Sequence, residues 1–126
     1  MNLKMLIFIA CGGALGAVMR YAVANGVHQV LGRGFPYGTL TVNVFGSLMI
    51  GFLYIVMLER MVLEPHWRAL IITGFLGALT TFSTFSLETF QLIEDGAMMK
   101  ATANVASNVV LCLATCWLGI ILGRQL

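Results

Sequence analysis

The sequence predicts an all-α integral membrane protein in which four helices cross the bilayer and the third helix is broken near its middle. Composition indicates the class, because 60% of the 126 residues are hydrophobic and only 10% are charged, whereas a soluble domain is about half apolar. The mean hydropathy of +0.95 agrees with this. Apolar runs long enough to cross ~30 Å of hydrocarbon recur along the chain. We therefore predict one domain, 1–126, with spans at about 5–24, 39–58, 67–94 and 98–122.

The first span, about 5–24, is interpreted as a membrane helix and not as a cleaved signal peptide. Its apolar run is longer than a usual signal core, and three more hydrophobic spans follow. Gly12, Gly16 and Arg20 stand four residues apart, so one face carries two small residues that allow close approach of another helix. Arg20 either snorkels to the interface or has a function. The glycine-rich stretch 25–38, which contains Pro36, is predicted to be the first loop.

The second and fourth spans each carry a polar stripe. Thr39, Asn43 and Ser47 follow one another at intervals of four residues in the second span, and Asn104 and Asn108 begin a similar stripe in the fourth. An asparagine in hydrocarbon must find hydrogen-bonding partners, so these faces point away from lipid. The stripes either join helices to one another or line a pore, and for Asn43 we favour the pore.

The third span contains the least lipid-like stretch of the chain, GFLGALTTFSTFSLE at 74–88. Within seven residues it carries five hydroxyl side chains, which are Thr80, Thr81, Ser83, Thr84 and Ser86. One alternative is a continuous helix whose hydroxyls bond to its own carbonyls. As one straight helix, however, 67–94 would be ~40 Å long, more than the bilayer core needs. Irregular backbone survives at membrane depth only where protein or water satisfies it, so we expect a broken helix that lines a site.

Several classes of function are excluded by what the sequence lacks. No Ser/His/Asp set, paired carboxylates or phosphate-binding loop is present, so we expect that the protein is not an enzyme. Cys11, Cys112 and Cys116 lie inside predicted spans without histidine or carboxylate at metal-ligand spacing, which is typical of free packing thiols. A net charge of +2 indicates no nucleic-acid partner.

The basic residues give almost no preference for one orientation in the membrane. If the N-terminus lies on one side, Lys4, Arg60, Arg68 and Arg124 lie there, and Arg20, Arg33 and Lys100 lie toward the other. Four against three is nearly balanced, so we expect the chain to insert in both orientations. Four helices alone also do not easily shelter several polar stripes and a broken backbone. An antiparallel, dual-topology homodimer with a two-fold interface answers both points.

Three stretches carry a resemblance to a known family: GALGAVMRY with Arg20, PYGTLTVNVFGS with Thr39 and Asn43, and above all GFLGALTTFSTFSLE. Together they resemble the Fluc or CrcB family of small fluoride channels over essentially the whole chain. The resemblance implies a dual-topology dimer with two fluoride pores in the plasma (inner) membrane of a prokaryote. It also implies a structural sodium ion at the dimer centre.

The resemblance assigns roles to particular positions. Phe82 and Phe85 would be the pore aromatics and Asn43 a fluoride ligand, with Ser83 and Thr84 nearby and Arg20 at the vestibule mouth. The backbone carbonyls of Gly77 and Thr80 would hold sodium. Asn104 and Asn108 differ from the family pattern, because many members have Tyr and Ser there. Thr39 and Asn108 complete the expected polar pathway.

The expected function is passive export of fluoride, which protects the cell from fluoride toxicity. A pore must replace fluoride's water with donors, and phenyl edges carry partial positive charge that can face an anion. The alternatives are a small multidrug-type, proton-coupled exporter or a structural membrane subunit. The exporter needs an intramembrane acid, whereas the first span contains only Arg20, and the structural subunit does not need the hydroxyl cluster.

Overall fold

Four long helical segments make up the computed structural model, which describes all 126 residues. We label its helices α1 (Leu3–Leu31), α2 (Tyr37–Arg60), α3 (residues 65–79), α4 (Phe82–Glu94) and α5 (Met98–Arg124). The third span comprises α3 and α4 together, Pro65–Glu94. All four spans are long and apolar enough to cross a membrane, which confirms the predicted all-helical, multi-pass class. Most large hydrophobic side chains lie on the outside, as expected of a surface that faces lipid.

The first helix is longer than predicted. We expected a loop to begin at Asn25, and this was wrong, because α1 continues to Leu31 and ends at Gly32 with φ 83°. A glycine such as Gly26 lowers helix propensity by only ~1 kcal/mol, so it does not stop a helix whose neighbours favour it. The extension is held to the start of α2 by His28, whose Nε2 accepts a hydrogen bond from the backbone N–H of Gly38 at 3.1 Å.

Close helix packing depends on glycines that face backbone. A Cβ added to Gly12 or Gly16 would collide with the carbonyl oxygen of Leu70 or Phe75, so α1 and α3 pack with their backbones in contact. This confirms the close approach that the spacing of Gly12 and Gly16 predicted. The α2–α5 pair is built in the same way, because Gly51 faces the Cys116 carbonyl.

The interior is small and lies between α2 and the end of α3. Its centre is formed by Val42, Leu76 and Leu79, which are each at most 3% exposed. Val23 of α1 and Met49 of α2 pack against this cluster. The core therefore ends directly beside Thr80 and Thr81, where the regular helical path of the third span is interrupted.

Candidate ion pathway

Two residues between α3 and α4 have extended backbone. Thr80 has φ −87° and ψ 156°, and Thr81 has φ −152° and ψ 120°. The Thr80 hydroxyl donates back to the Leu76 carbonyl at 3.1 Å. The Thr81 hydroxyl accepts from the Thr84 N–H at 3.1 Å, so Thr81 is the N-cap of α4. The hydroxyl cluster thus supplies the N-cap of α4 and a second bond to the Leu76 carbonyl, which also accepts from the Thr80 N–H.

Asn43 of α2 pairs with both backbone groups of Thr81. Its Oδ1 accepts from the Thr81 N–H at 2.8 Å, and its Nδ2 donates to the Thr81 carbonyl at 3.1 Å. An extended residue presents its N–H and C=O toward the same edge, as in a β-ladder, and a primary amide can bond to both. The Asn43 side chain therefore takes the place of a neighbouring strand.

A chain of amides continues from Asn43 into the bundle. Asn43 Nδ2 also donates to Asn108 Oδ1 at 3.0 Å, and Asn108 Nδ2 donates to the backbone and side-chain oxygens of Asn104 at 2.9 and 3.1 Å. Asn104 Nδ2 donates to Thr89 Oγ1 at 2.9 Å, and that hydroxyl donates to the Phe85 carbonyl at 2.8 Å. We call the side chains of Asn43, Asn108, Asn104 and Thr89 the amide ladder.

Arg20 of α1 is half-buried and bonds to the backbone of α3. Its Nε donates to the carbonyl oxygen of Ala78 at 2.9 Å, in the last turn of α3. In a continuous helix that carbonyl would accept from the N–H of Phe82, the first residue of α4. Arg20 thus satisfies one backbone group near the interruption. The carbonyl oxygens of Gly77 and Thr80 accept no hydrogen bond within the chain.

A cavity of about 520 Å³ lies against the interruption. Its polar lining includes Asn43, Ser47, Thr80, Thr81 and Asn108, and its aromatic lining is Phe82 and Phe85. The two phenyl rings are 5.2 Å apart between centroids and inclined at 58°. Phe85 is buried, whereas Phe82 is 76% exposed at the open side of the cavity.

The expected site residues divide into two groups. Asn43, Phe82, Phe85, Asn108, Gly77 and Thr80 line the cavity. Thr39, Ser83, Thr84 and Arg20 do not: Thr39 is buried in the first turn of α2, and Ser83 and Thr84 bond to the Thr81 hydroxyl. Sequence reasoning missed Thr89. Its position in the sequence does not distinguish it from other helical threonines, and its role is visible only from the hydrogen bond that it accepts from Asn104 Nδ2.

The cavity contains no formal charge. None of its lining residues is acidic or basic. Glu88, the carboxylate nearest to this region in sequence, has one buried oxygen, Oε1, without a hydrogen-bonding partner, and it lies outside the lining. Any ion in the cavity therefore meets dipoles and ring edges and is not held by an opposite full charge.

These features define a class of protein: a small multi-pass helical membrane protein with an uncharged, largely apolar cavity that carries a few amide and hydroxyl groups beside its third span. Comparison with known proteins identifies the family. The family model described as "CrcB-like protein, Camphor Resistance (CrcB)" matches residues 7–120. The chain belongs to the CrcB family.

Individual relatives are similar in sequence to this chain over all or nearly all of its length. A protein of Methylococcus capsulatus named fluoride-specific ion channel FluC is 54% identical over 126 residues, which is all of this chain and 55% of that relative. The chain thus spans about half the length of this relative. Proteins with the same name from Coxiella burnetii and Geobacter metallireducens are each 50% identical over 123 and 121 residues, and the chain covers 98% of each.

Proposed function

We propose that this protein is a fluoride-specific ion channel that lets fluoride leave the cell passively. Its relatives of 50% identity and 98% coverage carry this name. The observation that carries the proposal is the position of the phenylalanine pair, which lines an uncharged cavity together with hydroxyl and amide groups beside an interruption of the third span. Such a cavity offers dipoles to a small anion without trapping it.

Passive conduction fits the lining better than proton-coupled export. A multidrug-type exporter needs a carboxylate where its cationic substrate binds, and the cavity has none. A purely structural subunit would have no use for an uncharged cavity lined by ring edges and hydroxyls. As a member of a channel family the protein is not an enzyme.

The fluoride path is proposed to pass between Phe82 and Phe85. Phe85 is buried against the bundle and Phe82 stands at the open side, so an ion moving along the cavity meets both ring edges. Asn43 contributes as a ligand only when it exchanges a present partner for the ion, because its Nδ2 already donates to Thr81 and to Asn108. We propose that the remaining expected residues lie along the path of the ion to and from the phenylalanine pair; these are Ser83, Thr84, Thr39 and Arg20.

The working unit is proposed to be an antiparallel homodimer built on a broken third helix. Polar groups at the interruption, among them the carbonyls of Gly77 and Thr80, cannot be left facing lipid, since each unsatisfied group costs several kcal/mol there. A second copy would cover the open side of the cavity and the exposed Phe82. For location we propose the plasma (inner) membrane of a prokaryote, where helical bundles of this kind insert.

A structural sodium ion fits the carbonyl oxygens that are present as ligands. The Gly77 and Thr80 carbonyls are free of hydrogen bonds, and hard monovalent cations prefer carbonyl oxygen. Two copies of these residues, meeting on a dimer axis, would hold the ion. Bound there, sodium would supply positive charge that satisfies the carbonyls. The ion would be a structural component and not a transported one.

Fluoride efflux from liposomes tests the proposed function. Purified protein is reconstituted, the vesicles are loaded with potassium fluoride or potassium chloride, and release is followed with ion-selective electrodes after a potassium ionophore is added. We expect rapid fluoride release and none of chloride above that of empty vesicles. Equal release of the two anions, or no fluoride release by folded protein, would contradict the proposal.

A further inference from the structure

We infer that Asn108, Asn104 and Thr89 are positioning residues that set the orientation of α4 and thereby of the two pore phenylalanines. The inference rests on the proposed function for its consequence but on the amide ladder for its evidence. The ladder joins α2, α5 and α4 by a continuous series of hydrogen bonds, all between 2.8 and 3.1 Å.

Every orientation along the ladder is determined by a backbone carbonyl. The Asn104 backbone oxygen can only accept, so Asn108 must turn its Nδ2 toward it and its Oδ1 toward Asn43. The Phe85 carbonyl likewise takes the single hydroxyl hydrogen of Thr89, so Thr89 must accept from Asn104. The direction of donation therefore runs without a break from Asn43 to Phe85.

The ladder is bonded to α4 at two points, the N-cap residue and a residue inside the helix. Thr81 is bonded by Asn43, and Thr89 is bonded by Asn104, eight residues further along the chain. Thr81 is the N-cap of α4 and Thr89 lies inside the helix, so at ~1.5 Å per residue the two points lie about 12 Å apart along it. Phe85 stands between them. Two anchors at different heights resist both rotation and tilt of α4, which are the movements that would displace the rings.

Burial separates positioning from direct contact with the ion. Asn104 is 1% exposed, and neither Asn104 nor Thr89 lines the cavity. Asn108 does line it, but its Nδ2 donates to the two oxygens of Asn104 and its Oδ1 accepts from Asn43. A change at Thr89 therefore reaches the ion only through the ladder.

The chain offers a matched pair of threonines for the test. Thr89 Oγ1 and Thr102 Oγ1 each donate to the carbonyl four residues earlier, at 2.8 and 2.9 Å, but only Thr89 also accepts from an amide. Valine is nearly isosteric and lacks the hydroxyl, and serine keeps it. The variants are Thr89→Val, Thr89→Ser and Thr102→Val. Asn104→Ser serves as a second break in the ladder should Thr89→Val fail to fold.

Two measurements are made on each dimer in lipid nanodiscs or liposomes. The chain has five asparagines, so 15N-asparagine labelling gives five side-chain amide signals whose hydrogen exchange is followed by NMR. Fluoride efflux is measured on the same preparations. In the parent protein we expect slow exchange at Asn43, Asn104 and Asn108 and fast exchange at the other two.

We expect Thr89→Val to speed exchange at Asn43 and to slow fluoride efflux, each by about fivefold, as the loss of one hydrogen bond of ordinary strength predicts. Thr89→Ser and Thr102→Val should stay close to the parent in both measurements. Unchanged exchange at Asn43 in Thr89→Val and Asn104→Ser would overturn the inference, even if efflux fell. A parent protein that conducts no fluoride would contradict the proposed function and leave the exchange result to decide on the ladder.

Discussion

At the scale of single residues, the interruption is stabilised because particular side chains bond to three of the backbone groups that it releases. Asn43 binds the N–H and C=O of Thr81, and Arg20 binds the Ala78 carbonyl. An unsatisfied buried polar group costs about 1–3 kcal/mol, and more in hydrocarbon. The hydrogen bonds from Asn43 and Arg20 therefore stabilise the extended backbone at the interruption.

Replacement of Asn43 tests this role. Asn43→Leu leaves the Thr81 N–H and Asn108 Oδ1 without partners, so we expect the free energy of unfolding to fall by about 2–5 kcal/mol. Asn43→Ser keeps a donor and acceptor and should lose less, in stability and in fluoride efflux. Thermal unfolding in detergent measures the change. Asn25→Leu, at an asparagine that bonds only to Arg33, is the control, and an equal loss there would contradict the assignment.

The phenylalanine pair is expected to act on conduction and not on stability. Phe82→Ile or Phe85→Ile removes a ring edge from the cavity while keeping an apolar side chain, so fluoride efflux should be strongly slowed or abolished. Phe90→Ile is the matched control, because Phe90 lies on the same helix and outside the cavity lining. Efflux is measured on protein that elutes as the parent does from a size-exclusion column. Parental rates in both cavity variants would remove these residues from the path.

At the scale of helices, glycine determines how closely two spans approach. Gly12 and Gly16 place α1 directly against the backbone of α3, which carries Gly77 and ends at Leu79, just before the interruption. The same contact brings Arg20, one turn beyond Gly16, within hydrogen-bonding distance of Ala78. Helix packing and the hydrogen bonding of the interruption are therefore coupled through a single face of α1.

Two alanine substitutions in α1 separate packing from helix propensity. Gly16→Ala places a Cβ against the Phe75 carbonyl oxygen, and we expect destabilisation by about 1–3 kcal/mol. Gly26→Ala has no atom within 4 Å of the new Cβ and should stabilise the helix by about 0.5–1 kcal/mol. Thermal unfolding of the two variants gives the comparison. Equal effects of the same sign would show that the α1–α3 contact is looser than described.

At the scale of the whole molecule, a single chain leaves the cavity beside its third span open. Phe82 is 76% exposed, and the cavity lining includes Gly77 and Thr80, whose carbonyl oxygens accept no hydrogen bond within the chain. Basic side chains lie at both ends of the bundle. Arg60 donates to the backbone carbonyl of Arg124 at one end, and Lys100 donates to the backbone carbonyl of Gly34 at the other. The balanced charge is the condition under which both orientations insert.

The expected dual topology is tested with a tag after Leu126. In cells, the tag should be accessible from both faces of the membrane, because the basic residues favour neither orientation. Purified protein should have the mass of a dimer. Substituting lysine for two residues in the turn after α2, as Val62→Lys and Leu63→Lys, should bias the population toward one orientation. Fluoride efflux should then fall, because fewer copies find an antiparallel partner. A single orientation for all copies of the parent would contradict the prediction.

Sodium dependence tests the proposed ion site. When a large organic cation replaces sodium, we expect dimer stability and fluoride efflux to fall, after enough time for the ion to exchange. Thr80→Ser should behave as the parent, because the ligand is a backbone oxygen. Gly77→Val should not, although an added Cβ lies 3.7 Å from the Ile72 oxygen within one chain, because its crowding would come from the second copy. Indifference of sodium-free protein to the ion would exclude the site.

The sequence alone determined the class of the protein, the four spans and the residues able to line a polar site. These properties depend on local quantities, namely the length and hydropathy of each run and the spacing of small and polar side chains along a helix. For the same reason the close-packing glycines could be named in advance, whereas the phenylalanine pair was named through the resemblance to the family. The end of α1 could not, since Gly26 and the following residues are compatible with either helix or loop.

Only the tertiary structure decided which groups bond to one another. Asn43 and Thr81 are 38 residues apart in sequence, Arg20 and Ala78 are 58 apart, and Asn43 and Asn108 are 65 apart. Periodicity tells which face of a helix is polar but not its depth or rotation relative to its neighbours. Hydrogen bonds require both, because they act over about 3 Å and along defined directions. The amide ladder, and with it the part played by Thr89, therefore became visible only once the helices were packed.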